Sequence, residues 1–253
     1  MDQEALLSWY RRIQRPLPWR VNPSPWSILL SEILLQQTQM ERGVVYHEKL
    51  LKRFPTIQSM AESNVDEVLH LWQGAGYYSR ARRLHTLSLE VMKTYDGKLP
   101  EFYEDLLKLP GIGPYTAAAV SSIAFSNPVA CVDGNVRRVM ARQMNQENPT
   151  PKDVQNFADE QLVVDSPGDW NQAVMELGAL VCRPKKPRCD VCPVQETCQG
   201  IERAHELPLP KKLIKKEMEL QCVVKIDSEG KPELIRRPET GLFAGLWGPF
   251  YSE

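Results

Sequence analysis

Between residues 1 and 200, proline and glycine interrupt the chain so often that no helix can run far, and most stretches between the interruptions have helical spacing or propensity. This punctuation restricts the fold to short helices turned back on one another. Ser24 followed by Pro25 marks a helix start, with a side-chain acceptor at the cap and then a residue of preset φ that has no amide hydrogen to leave unpaired. That helix runs through WSILLSEILLQQ. Further helices are expected over 41–53, 64–72, 79–94, 101–108, 115–124, 135–145, 151–163 and 169–181. The chain holds no internal repeat and no low-complexity tract.

The pattern changes near residue 200. A linker is expected over 201–217, where AHELPLPKKLIKKE carries two prolines and four lysines. After it, QCVVKID and PELIRR carry strand-forming residues around a SEGK turn, which predicts a hairpin. A lone hairpin is marginal in water, so residues 218–253 read as the opening of a domain that is not completed.

A content of 42% hydrophobic and 25% charged residues is that of a globular protein. No apolar run has the length to cross a bilayer, and the first twenty residues lack the apolar core of a secretory signal, so an intracellular location is expected. The net charge of −1 does not advertise a nucleic-acid partner, and any such role must rest on local clustering of charge.

Four groups of residues carry chemistry. In LPGIGPYTA, Gly111 and Gly113 let the backbone come close to a ligand, and Pro114 opens a helix whose free N–H groups suit a phosphate oxygen. A bare GxG is usually a plain turn, but the whole stretch is more specific. Glu32 lies in a helix apolar on nearly every face, while Asp133 lies where a short strand-like run meets a helix start. Desolvation raises the pKa of such a glutamate, and an aspartate capping a helix accepts from amides and stays ionised. Two carboxyls in unlike surroundings supply a proton and a negative charge, the two needs of glycosidic bond cleavage, although either one alone reads as an ordinary surface or cap residue.

Cys182, Cys189, Cys192 and Cys198 form C-x6-C-x2-C-x5-C. Four thiolates this close hold an iron–sulfur cluster or a zinc ion, and the single short C-x2-C arm favours the cluster. Arg183, Lys185, Lys186 and Arg188 crowd the first interval, and two prolines stiffen it for phosphate contact. Last, Gln36, Gln37 and the pair Tyr77–Tyr78 are planar or amide side chains fit to fill the gap left by an extracted base, and Arg80, Arg82 and Arg83 follow, suited to phosphates.

LPWR, SEILLQQTQ, LHLWQGAGYYSRAR, LPGIGPYTA, VDGNVRRV, NQAVMELGALVC and the four-cysteine loop together resemble the MutY-type adenine DNA glycosylases of the helix-hairpin-helix superfamily, nearly continuously over residues 5–200. The resemblance implies a mainly α, two-lobed domain over 1–200, with a six-helix lobe at about 22–131 and a lobe of 1–21 plus 132–200 that holds a [4Fe-4S] cluster. It implies a monomer acting on double-stranded DNA with a mismatched adenine, opposite 8-oxoguanine or guanine, in the cytoplasm and nucleoid or in a nucleus. Glu32 would be the acid that protonates adenine and helps to activate water, Asp133 would stabilise or briefly bond the sugar cation, and Asn135 would support Asp133. Tyr115 falls where lyase-type relatives carry a nucleophilic lysine, so the enzyme should be monofunctional. Gln37 matches a wedge and Tyr77 an intercalating residue. Arg15, Trp19, Arg20, Leu35 and Glu176 match positions lining the adenine pocket. Residues 218–250 resemble the first strands of a Nudix-like domain whose remainder, with its loop for oxidised guanine, is absent. Within the same superfamily a thymine glycosylase acting on G·T mismatches is the rival, opposed by QQTQ and GYYSRAR. From another class comes a non-catalytic iron–sulfur DNA-binding module, whose signature would be the loss of one carboxylate.

Overall fold

The computed structural model describes residues 1–36, 38–209, 219, 221–238, 245 and 247–252. The chain divides into two compact units, Met1–Leu209 and Pro210–Glu253. Gln37 and residues 210–217 of the expected linker lie outside the described residues.

The first unit is built from α1 (Gln3–Ile13), α2 (Pro18–Val21), α3 (Pro25–Leu35), α4 (Met40–Arg53), α5 (Ile57–Ala61), α6 (Val65–Trp72), α7 (Tyr78–Tyr95), α8 (Tyr103–Leu106), α9 (Pro114–Phe125), α10 (Gly134–Gln143), α11 (Pro151–Glu160) and α12 (Pro167–Leu180). The start of α3 forms as the Ser24–Pro25 pair predicts, with Ser24 Oγ accepting from the Ser27 amide at 3.1 Å. The expected helix over 101–108 shrinks to α8, which ends ahead of Leu109, a position where the following Pro110 disfavours helical backbone. The sequence pattern leaves α5 unassigned. A capping box, in which Thr56 and Ser59 bond each other's amides, starts that short helix.

Two cores organise the unit. Trp26, Leu30, Leu34, Phe54, Trp72, Leu84 and Val120 belong to one, and Leu6, Tyr10, Val136, Met140, Trp170 and Val174 to the other. The fold is therefore mainly α and two-lobed. α9 packs on α3 and on α12, so it joins the two cores. Its first residues sit beside α3, where Trp26 to Leu34 are all buried, Glu32 among them.

The strand-like run before Asp133 is no strand. Instead Asn171 holds it straight, accepting from the Cys131 amide at 2.9 Å and donating to the Val129 carbonyl at 2.9 Å. Gly178 lets α12 press against the start of α10, since a Cβ there would lie 2.6 Å from Asn135 Cβ.

In the second unit β1 (Gln221–Val223) pairs antiparallel with β4 (Phe250–Ser252), and β2 (Ile235–Arg236) with β3 (Trp247–Gly248). The expected hairpin is thus corrected. Its turn forms, with Ile226 bridging Pro232, but Pro232 has no N–H to extend the ladder, and the strands pair with residues 247–252 instead.

Candidate active site

Beside the α3–α9 contact lies a cleft of about 850 Å³. Glu32 and Asp133, 101 positions apart, both line it, together with Arg15, Trp19, Arg20, Leu35, Gln36, Tyr115, Asn135 and Glu176. Ten of the expected site residues are thereby brought to one cavity.

Glu32 is 8% exposed. Tyr115, the second residue of α9, donates its phenol hydrogen to Glu32 Oε2 at 2.8 Å. Burial raises the pKa of Glu32 from 4.5 to about 7, and the nearby charge of Asp133 adds to the rise, while the Tyr115 bond and Arg20 pull against it. A proton therefore remains available near neutral pH. Tyr115 itself is pushed well above its ordinary value, first by burial and then by Glu32, so it stays a neutral donor.

Asp133 caps α10. Its Oδ1 accepts from the Val136 amide at 2.7 Å and its Oδ2 from Asn135 Nδ2 at 3.0 Å. The cap forms as expected, but burial opposes the ionised state and raises this pKa. Against burial act the Val136 amide, the Asn135 side chain and amide, and Arg138, whereas among the described residues Glu32 has a single hydrogen-bond donor. The two carboxyls stand in unlike surroundings: one retains a proton, and the other is encircled by donors that favour its anion.

One wall of the cleft is an ion-pair cluster. Glu176, 2% exposed, accepts from Arg15 Nε at 2.6 Å, Arg15 Nη2 at 3.0 Å and Arg20 Nη2 at 3.1 Å. Burial pushes its pKa up, but the two guanidiniums outweigh burial and hold it below the ordinary carboxylate value. Arg20 also donates to Gln172 Oε1 at 2.8 Å and lies over the Tyr10 ring. We expect Glu176→Ala to cost about 2 kcal/mol in urea unfolding, less than breaking a fully buried pair, because Arg15 keeps 33% of its side chain in solvent. An unchanged unfolding midpoint would show that the cluster contributes no stability.

Sequence reasoning missed Gln172, Met175 and Ala179, which line the cleft beside Glu176. The signal was available, since these four positions follow the i, i+3, i+4, i+7 rule of one helical face. Met175 Sδ lies 3.3 Å from the Tyr115 hydroxyl.

The remaining expected residues that the structure describes lie outside this cavity. Tyr77 is 62% exposed, at the head of α7, with φ of +48°. Gly111, with φ of +82°, packs on Arg83, where a Cβ would meet the Arg83 Cβ at 2.9 Å. Gly113 caps α9, and nothing lies within 4 Å of where its Cβ would be, so the backbone there is open to a ligand. Arg183, Lys185, Lys186 and Arg188 are all exposed.

Cys182, Cys189, Cys192 and Cys198 line one small cavity at the end of α12. Buried Arg142 reaches into this loop, donating to Cys182 Sγ at 3.2 Å and to the Arg183 and Pro184 carbonyls. Among the described residues no group of three or more His, Cys, Asp or Glu is set to hold a single metal ion. Four soft sulfur donors around one space, faced by a cation, nonetheless fit a thiolate-bound group.

Residues 30–162 match the family model described as "HhH-GPD superfamily base excision DNA repair protein". The chain belongs to that superfamily. It is 36% identical to the rat adenine DNA glycosylase, over 96% of this chain and 58% of that protein. To the human adenine DNA glycosylase it is 40% identical, over 80% of this chain and 40% of that protein. The chain thus spans about half the length of these curated relatives. Among solved structures, a thermostable thymine-DNA glycosylase superposes with a TM-score of 0.74 at 29% identity, covering 79% of this chain and 95% of that one.

Proposed function

We propose that this superfamily member is a monofunctional DNA glycosylase of the MutY type. It would extrude adenine mispaired with 8-oxoguanine or guanine into the cleft and hydrolyse its bond to deoxyribose. The carrying observation is Glu32, a buried acid raised to about 7, hydrogen-bonded to Tyr115 on the wall of a cavity that Asp133 also lines.

Glu32 gives its proton to the departing adenine as the bond to C1′ breaks and the electron pair leaves with the base. The positive charge left on the sugar is met by the Asp133 carboxylate, held in place by Val136 and Asn135. Water then adds to C1′ and loses its proton to the Glu32 carboxylate, which restores the starting state. Tyr115 supplies only a neutral hydroxyl, and no lysine is among the described residues that line the cleft, so a Schiff-base step has no nucleophile among them. The Arg15–Arg20–Glu176 cluster, with Trp19 and Leu35, forms the wall against which the base rests.

The open backbone at Gly113 and the exposed Arg183, Lys185, Lys186 and Arg188 would contact duplex phosphates. The four cysteines would hold a [4Fe-4S] cluster, whose contribution is to pin this loop, with Arg142 bracing it from α10. Cys192→Ser is expected to abolish the brown visible absorbance and lower the iron content, and to weaken duplex affinity about tenfold as the cationic loop loses its anchor. Retention of iron at the wild-type level would remove Cys192 from the ligand set.

Single-turnover excision tests the proposal on duplexes carrying adenine opposite 8-oxoguanine, adenine opposite guanine, or thymine opposite guanine. Adenine release in preference to thymine is the expected result. Preferential thymine release would support the reading favoured by the likeness to the thymine-DNA glycosylase. No release from any duplex would remove the glycosylase assignment.

A further inference from the structure

The sequence suggests Arg80 as a phosphate contact, yet its side chain points inward and is only 7% exposed. Its hydrogen-bond partners are five carbonyls and one hydroxyl, and they come from two separate parts of the chain. Nη1 donates to the Ile33 and Leu34 carbonyls at 2.8 and 2.9 Å and to that of Gln36. Nη2 donates to the Ala75 and Gly76 carbonyls, both at 3.2 Å, and to Thr38 Oγ1 at 3.3 Å. The guanidinium also lies over the rings of Trp72 and Tyr77, at 5.4 and 5.5 Å from their centroids.

Each of these contacts has a reason. Ile33 and Leu34 belong to the last turn of α3, whose carbonyls have no amide of their own helix to bond and carry the negative end of the helix dipole. A planar cation satisfies several of them at once and has donors left over for a second segment. That second segment carries Tyr77, whose ring stands in solvent on a left-handed backbone. Such a conformation persists only where its surroundings determine it from several sides. Here Trp72 Nε1 bonds the Gly76 carbonyl at 2.9 Å and Tyr46 Oη the Gln73 carbonyl at 2.6 Å, while Arg80 joins this turn to the end of α3.

We propose that Arg80 is a positioning residue that locks the end of α3, with Gln36 and Thr38, to the turn at 75–77, so that the residue exposed on that turn, Tyr77, enters the duplex at a fixed distance from Glu32. Arg80 touches neither base nor sugar. It acts by setting where the duplex is opened relative to the acid at the middle of α3. The inference rests on the proposed glycosylase reading.

Arg80→Lys keeps the charge but loses the fork, and Gly76→Ala loosens the same turn through its backbone alone, since Gly76 has φ of +74° and nothing within 4 Å of a Cβ. Each is compared with wild type on adenine opposite 8-oxoguanine and on adenine opposite an abasic site, where no estranged base needs support. Both variants should slow excision from the first duplex, Arg80→Lys by about a hundredfold, the scale of an ångström-sized misplacement. Rates on the second duplex should stay near wild type, and the pH of half-maximal rate should not move, because Glu32 is untouched. A general loss of structure would slow both duplexes alike, so equal slowing, no slowing or a displaced pH profile would overturn the clamp. If Arg80→Lys does not fold, Gly76→Ala decides by the same criteria. Wild-type protein inactive on both duplexes would instead refute the glycosylase reading itself.

Discussion

Glu32→Gln is expected to lower single-turnover adenine release by about 10³–10⁴-fold, the full contribution of a positioned general acid, while duplex affinity is retained. Glutamine fills the same space and can still accept from Tyr115, but it has no proton to give. Wild-type excision should fall as pH rises through about 7, where the buried carboxyl ionises, and the residual rate of the variant should lose that limb. A variant that still released adenine at an undiminished rate would end the assignment of Glu32 as the acid.

The same substitution carries a stability signature. The folded pKa of about 7 lies above the ordinary 4.5, so the unfolded chain ionises first as pH rises. Stability tied to Glu32 is therefore full below pH 4.5, falls between 4.5 and about 7, and is flat above that, a loss of about 3 kcal/mol. Glu32→Gln removes this loss, so urea unfolding at pH 8 should find the inactive variant more stable than wild type. Parallel stability profiles for the two proteins over this window would mean that Glu32 is not desolvated as its burial implies.

Asp133→Asn is the second large effect, a fall of about 10²–10³-fold in excision, because the group facing the sugar cation loses its charge. Asparagine caps helices as well as aspartate does, so the Val136 bond survives. The new amide nitrogen would face Asn135 Nδ2, whose own oxygen is already engaged by Arg138, and that mismatch should cost about 1 kcal/mol. Because Asp133 helps to raise the pKa of Glu32, the alkaline limb of the rate profile should also shift to lower pH. A full wild-type rate in a folded Asp133→Asn protein would remove the cation-stabilising role.

Much of this was legible before folding. The boundaries of α3, α4, α6, α7 and α9 fall within a residue or two of where caps, prolines and apolar spacing put them. Those signals are local, and the atoms that make them lie within one turn of each other. Glu32 could be singled out for the same reason, as a lone acid on a helix apolar all round. The second unit was less legible. Gln221 pairs with Ser252, and Ile235 with Gly248, and nothing near SEGK encodes partners so distant. Arg80 was misread because it was grouped with Arg82 and Arg83, which are exposed, whereas the carbonyls that turn it inward come mostly from α3 and Gln36.

By itself, then, the sequence determined an assembly of short capped helices and an inventory of carboxyls, thiols and cations, since propensity, capping and reactivity belong to single residues and their nearest neighbours. Only the tertiary structure decided that Glu32 and Asp133 share a cavity, that Tyr115 holds one of them, and that Glu176 stands between two guanidiniums. Desolvation and pairing depend on whatever atoms packing brings within a few ångströms, and those atoms come from residues far away along the chain.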